Sequence, residues 1–187
     1  MLKETDKLGS DHKIEKNKMA AICSVIVVVA VVLDQLTKHE AVARLSNGRT
    51  YVIIDKVLEL YYIVNTGSSW GMLAGQKALI LCISALIIAL CIYMMSKCPE
   101  DSKYLPFNIC LSLIIAGGIG NGIDRIRFSY VIDFIYFKAI NFPVFNVADI
   151  FVTCGAFVFI FLIMFRYKDD DLEFMKPCKK NSEEKDQ

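Results

Sequence analysis

The chain is poor in the residues on which most hydrolase classes depend. Its 187 residues include two histidines, His12 and His39. No His-Glu-x-x-His element is present, which excludes the common zinc-metallopeptidase arrangement. A Ser-His-Asp triad would have to use His39, and no Gly-x-Ser-x-Gly turn is there to present a serine. A Ser-Lys dyad from Ser68 or Ser69 with Lys77 is the serine alternative that the inventory leaves. No Cys-x-x-Cys pair exists to hold a metal. The glycine run Gly117-Gly-Ile-Gly-Asn-Gly122 lacks the Gly-Lys-Ser/Thr of a phosphate loop. It lies inside an apolar run, where small residues let helices approach closely. Net charge is also scarce. Lys and Arg total 21 against 20 Asp and Glu, leaving +1, which excludes a basic nucleic-acid binder. No internal repeat or low-complexity tract is visible.

Charge is missing from the middle of the chain as well. Residues 1–18 carry nine charged side chains and residues 166–187 carry thirteen, although only 22% of the whole is charged and 55% is hydrophobic. The interior holds four uncharged runs, Met19–Leu33, Ala78–Met95, Tyr104–Ile123 and Ile150–Phe165. A spanning helix needs about 20 mainly apolar residues, so the shorter first and fourth runs each recruit a turn from their flank. The expectation is a four-helix transmembrane bundle with helices at about 19–38, 72–95, 104–124 and 147–166. Charged tails at 1–18 and 167–187 flank it as solvated ends. The first run is read as a retained anchor, because no small-x-small cleavage site follows it and Cys23 sits at its start.

Lys and Arg set the orientation. With both termini cytoplasmic, 13 of the 21 basic residues lie inside. Trp70, Tyr51, Tyr61, Tyr62, Tyr130 and Tyr136 then fall in the two outer segments, 40–71 and 125–146, at headgroup level. Neither outer segment contains a cysteine, so no disulfide framework is available there. In the first, Asn47-Gly48 marks a turn, and 50–54 and 57–64 are rich in β-branched and aromatic residues. They predict a small sheet at the membrane surface. In the second, Pro143 forbids one continuous helix.

Asp34, Asp124, Asp133 and Asp149, with Asn65, Asn121 and Asn146, converge on the outer boundary layer. Ionisable groups at such depth usually face a bundle interior or cavity. The bland alternative is that each aspartate ends or caps a helix. Asp34 has Lys38 one turn away, a spacing that permits an ion pair, and Asp124 stands beside Arg125. Asp133 and Asp149 have only Ile, Phe, Val or Ala as neighbours. A carboxyl in apolar surroundings favours its neutral form. Two such groups placed together share one proton, giving a base for water and an acid for the scissile group. A proton or cation transporter using the four aspartates as a relay is the rival from another class. It needs polar groups through the bilayer middle, where the second helix offers Ser84 and the fourth Thr153. A non-enzymatic scaffold leaves the cluster without a role.

Five blocks in order carry a resemblance. They are Asp34-Gln-Leu-Thr-Lys38, Asn65-Thr-Gly-Ser-Ser-Trp-Gly71, Gly117-Gly-Ile-Gly-Asn-Gly-Ile-Asp-Arg125, Val131-Ile-Asp-Phe134 and Phe145-Asn-Val-Ala-Asp149. The chain, over about residues 19–166, resembles the lipoprotein signal peptidase (signal peptidase II) family. The resemblance implies a bacterial inner-membrane aspartic endopeptidase, acting at the outer face. Such an enzyme removes the signal peptide of prolipoproteins just before the diacylglyceryl-bearing cysteine. It implies catalytic aspartates at Asp133 and Asp149, with supporting or substrate-binding positions at Asp34, Lys38, Asn65, Gly67, Gly117, Asn121, Asp124, Arg125 and Asn146. It further implies a β-cradle and a surface loop over the site, no metal or organic cofactor, and membrane lipids and the lipidated precursor as partners. A monomer is expected, since four helices can enclose a site alone. Ser68-Ser69-Trp70 stands where the family usually has two small residues and Phe, and Ser129 where it commonly has glycine.

Overall fold

The computed structural model describes residues 14–67 and 75–175. The expectations for residues 1–13, for Ser68 to Trp70 and the residues up to 74, and for 176–187 lie outside those described residues.

Four helices form because long uncharged runs can satisfy their backbone polar groups internally without water. They are α1 (Lys16–Leu45), α2 (Lys77–Lys97), α3 (Leu105–Phe128) and α4 (Val147–Phe165). All four are long and apolar enough to cross a membrane. Large apolar side chains point outward, among them Leu86, Phe157 and Phe165, each more than 70% exposed. In water this would be costly, but against hydrocarbon it is the ordinary outer face of a bundle. Half of the apolar window of α3 is buried, which makes it the central helix, packed on α1, α2 and α4. Glycines permit that closeness. A Cβ added to Gly117 would collide with the Ala148 carbonyl oxygen and Val152 Cγ2, and one on Gly155 would lie 2.9 Å from the Cys110 carbonyl oxygen. Small residues of this kind drive helix association in membranes through close packing.

Three helix boundaries differ usefully from expectation, one of them the end of α3, which runs past Asp124 to Phe128. Helix α1 does not stop near residue 38. Its last turns, Thr37 to Leu45, include the strong helix formers Lys38, Glu40, Ala41, Ala43, Arg44 and Leu45 and carry a Glu40–Arg44 pair at 2.7 Å. At 1.5 Å per residue the 30-residue helix is about 45 Å long, so it projects beyond the roughly 30 Å hydrocarbon layer. Asp34 is therefore inside a helix and does not end one. Helix α2 begins at Lys77 rather than 72.

The projecting end of α1 supports a three-stranded antiparallel sheet, β1 (Thr50–Ile54), β2 (Leu58–Asn65) and β3 (Val131–Phe137), in the order β1-β2-β3. The first two strands match expectation to within a residue. The third was not anticipated, although Val-Ile-Asp-Phe-Ile-Tyr-Phe is rich in strand-favouring residues. Ile132 and Phe134 pack on Ala41 and Leu45 of α1, while the alternate residues Val131 and Asp133 face a cavity. The chain then turns through Pro143, pairs Phe145 with Ile135, and enters α4.

The end of the bundle remote from the sheet corrects another expectation. The charged C-terminal segment is not simply a solvated tail. Tyr167 is buried and stacks on Tyr104 at 5.5 Å, and a short 3-10 helix follows at Asp169–Met175. Phe174 sets its edge against Tyr104 and Phe107. Lys103 pairs with Asp171 at 2.6 Å. Two aromatics among many charges suffice to fold this stretch back across the α2–α3 connection.

Candidate active site

Four elements deliver polar groups to the sheet end of the bundle. Asn65 closes β2, Asp133 sits near the start of β3, Asn121 and Arg125 lie one turn apart on α3, and Asn146 and Asp149 begin α4. A reciprocal capping box fixes the start of α4. The Asp149 backbone N–H donates to Asn146 Oδ1 at 3.0 Å, and the Asn146 N–H donates to Asp149 Oδ2 at 3.2 Å. Asp149 is thus a cap as well as a site residue.

Asn146 also reaches across to the strand, its Nδ2 donating to Asp133 Oδ1 at 2.6 Å. One residue therefore holds both carboxylates. Asn65 Nδ2 donates to Asp133 Oδ2 at 2.9 Å, and Asn121 Nδ2 to Asp149 Oδ1 at 2.8 Å. Both aspartates line the same cavity of about 910 Å³. Among the described residues neither forms an ion pair, so amides alone contact them. Burial pushes the Asp133 carboxyl up to about 6, against hydrogen bonds from Asn65 and Asn146 and with the help of the Asp149 charge. Asp133 is 2% exposed.

Beyond the carboxylates the cavity runs down between α2 and α4 over the α3 surface. Its walls there are Ile80, Ile87, Ile88, Ile114 and Val152, with Ser84 and Thr153 the polar exceptions. It has a polar floor at one end and an apolar channel at the other.

A second constellation lies behind the first. Lys38, 1% exposed, places its ammonium 2.9 Å from Asp34 Oδ2 and 3.0 Å from Asp124 Oδ2. Its third contact is Asn121 Oδ1 at 2.9 Å. The anticipated Asp34–Lys38 pair is present, whereas Asp124 takes Lys38 and not the adjacent Arg125. Arg125 turns instead to the loop, donating from Nη2 to the Gly67 carbonyl oxygen at 2.9 Å. Asp34 Oδ1 accepts the Ala148 N–H of α4, and Asp124 Oδ2 accepts the Ile132 N–H of β3. The triad therefore ties α1, α3, α4 and β3 together. Gln35 was overlooked in the sequence, yet its Nε2 donates to Asp34, Asp124 and the Gly120 carbonyl oxygen. Its place directly after Asp34 was the available signal.

Of the sequence-derived site residues, Asp133, Asp149, Asn65, Gly67, Gly117, Asn121 and Arg125 line the cavity. Asn146 bridges behind it, and Asp34, Lys38 and Asp124 form the buried support. Gly117 touches α4 so closely that its place in the cavity wall is as a packing residue. Lys77 Nζ donates to Ser129 Oγ at 3.1 Å, and Ser129 adopts φ +70°, the left-handed conformation glycine adopts without strain. Among the described residues no three His, Cys, Asp or Glu side chains are grouped to hold a metal.

Four apolar helices and two unpaired carboxylates sharing a cavity describe a multi-pass membrane protein with the furniture of an aspartic hydrolase. The comparisons with known proteins narrow this. The family model described as signal peptidase (SPase) II matches residues 26–165. A lipoprotein signal peptidase of Caldanaerobacter subterraneus subsp. tengcongensis is 42% identical over 143 residues, covering 76% of this chain and 95% of the relative. One from Clostridium tetani is 37% identical over 155 residues, covering 81% and 96%. A bacterial membrane enzyme solved by the in meso method superposes with a TM-score of 0.73 at 28% identity, covering 90% of this chain and 98% of that one. The chain belongs to the signal peptidase II family, and is an aspartic peptidase.

Proposed function

We propose that this enzyme cleaves diacylglyceryl-modified prolipoproteins just before the lipid-bearing cysteine, using water activated between Asp133 and Asp149. The observation that carries the reading is the single cavity in which two amide-held carboxylates sit above an apolar channel. A lipidated peptide enters laterally from the bilayer, its apolar signal segment along α2 and α4 and its acyl chains remaining in lipid. One aspartate, ionised, takes a proton from water as the oxygen attacks the scissile carbonyl carbon. The other, protonated, polarises the carbonyl oxygen, and the pair returns a proton to the leaving amine as the C–N bond breaks. Arg125 orders the loop at Gly67, and Asn65 and Asn146 orient Asp133.

The bias of Lys and Arg toward both tails supports a site on the outer face of a bacterial cytoplasmic membrane. Residues 19–166 are the peptidase unit, and it works as a monomer in contact with membrane lipid. Asp133→Asn and Asp149→Asn are each expected to abolish cleavage of a lipidated precursor peptide in detergent micelles while leaving unfolding cooperative. Near-normal turnover by either folded variant would remove the dyad assignment.

A further inference from the structure

The two carboxylates receive equal numbers of hydrogen bonds but not equal surroundings. Asp149 lies in the first turn of α4, where helix N–H groups favour negative charge. Its partner Asn121 is held in one orientation. Asn121 Oδ1 accepts from the Lys38 ammonium at 2.9 Å and from Asn146 Nδ2 at 3.1 Å. Flipping the amide would set an NH2 group against two donors, so Nδ2 must face Asp149. A cation at one end of an amide polarises the N–H at the other. Asp133 has no such chain. It sits on a strand, and its donors are two neutral asparagines, Asn65 and the α4 N-cap Asn146, the second of which spreads its N–H groups over Asp133, Asn121 and the Ile132 carbonyl oxygen.

We propose that Lys38, acting through Asn121, makes Asp149 the ionised base of the dyad and leaves the shared proton on Asp133. Lys38 does not line the cavity and is a positioning residue. The inference rests on the dyad reading above and says which member does what. Asp149 takes the water proton as the new C–O bond forms and Asp133 gives its proton to the carbonyl oxygen. The resulting gem-diol returns a proton to Asp133, Asp149 delivers its own to the amine nitrogen, and the C–N bond breaks. Both carboxyls end as they began.

The other charges facing Asp149 are few. Asp34 and Lys38 approach from α1, Arg125 from α3 and Asp133 from β3, while α2 presents Ser84 and isoleucines across the cavity. Asp34 and Asp124 are each occupied with Lys38, and Asn121 bonds both the ammonium and Asp149.

Infrared spectra of the intact enzyme in micelles at pH 5, with isotope-labelled aspartate, test the assignment without turnover. A protonated-carboxyl band is expected in the wild type, lost in Asp133→Asn and kept in Asp149→Asn, and the reverse pattern overturns the proposal. The part played by Lys38 is read from pH profiles of kcat/KM on a lipidated peptide. Two variants break the relay differently. Asn121→Ala leaves the ion triad intact, and the double variant Lys38→Met with Asp124→Asn keeps the triad's net charge. In both, the acidic limb should move up by about one unit. A fall in kcat that is even across pH, with no movement of the acidic limb, reduces Lys38 to scaffolding and refutes its role. Inactive dyad variants alongside that result would leave the peptidase reading standing, whereas active ones would remove the reading itself.

Discussion

Lys38→Met should be among the most damaging single substitutions in this protein, although Met nearly matches the lysine stem in volume. The ammonium is the sole cation within 4 Å of Asp34 and Asp124 among the described residues, and both carboxylates are fully buried. Removing it leaves Asp34 with the Ala148 N–H and Gln35, and Asp124 with Gln35 and the Ile132 N–H. Neutral donors do not replace a counter-ion for two neighbouring anions. Breaking a buried pair by deleting one partner costs about 3–5 kcal/mol, a large share of the roughly 5–15 kcal/mol that holds a typical domain together. At a few degrees per kcal/mol for a chain of this size, the unfolding midpoint in detergent micelles should fall by about 10 °C at pH 7. Adding Asp34→Asn and Asp124→Asn to Lys38→Met should recover most of the loss, since no charge is then left buried there. A midpoint for Lys38→Met equal to that of the parent at pH 7 would show that the triad does not bind α1 to α3, α4 and β3 as argued.

Glycines in one short stretch of α3 should respond in opposite directions. At Gly120 a Cβ would lie 2.5 Å from Asp34 Oδ2, an atom locked in the ion triad, whereas at Gly122 nothing stands within 4 Å. Gly120→Ala should destabilise by about 1–3 kcal/mol through overpacking, and Gly122→Ala should stabilise by up to about 1 kcal/mol through helix propensity. Unfolding in mixed micelles separates them, and equal shifts would refute the packing account. Stability should also carry the signature of Asp133. Its carboxyl is raised from 3.8 to about 6 on folding, so the folded state binds this proton more tightly than the unfolded chain. The benefit is complete below pH 3.8 and is lost as pH rises through about 6, in all about 3 kcal/mol. Wild type minus Asp133→Asn, measured from pH 4 to pH 8, isolates that slope, and a flat difference would contradict it.

The helices were legible because lipid-facing and core-facing residues alike are apolar, so each span reads as an uninterrupted run. The reach of α1 was not, since Asp34 and Lys38 look like the end of a run when only neighbours in sequence are seen. Their charges cancel inside the bundle, and the helix continues through them. The third strand was hidden for the converse reason. Val131, Ile132, Asp133 and Phe134 are all buried, two against α1 and two toward the cavity, so no alternation of polar and apolar residues marks the strand. The C-terminal segment was masked by its charges, which outnumber the Tyr167 and Phe174 rings that hold it down.

At the site, the same distinction between near and far partners decides what sequence can say. Asp34 and Lys38 are four apart on one helix, and their pairing follows from helical geometry alone. That Lys38 also reaches Asn121, 83 residues away, and that Arg125 passes over Asp124 for the Gly67 carbonyl, depend on how helices pack. Yet the division among the four carboxylates was visible in their neighbours. Two lie beside a basic residue and two beside apolar ones. The fold turns that into a separation of labour, with Asp34 and Asp124 consumed by one buried cation and Asp133 and Asp149 left to amides. A carboxylate held by an ammonium at 3 Å already has its counter-ion, whereas one held only by asparagine leaves its charge unbalanced within the cavity. The triad's stability and the dyad's availability are thus two consequences of where a single lysine sits.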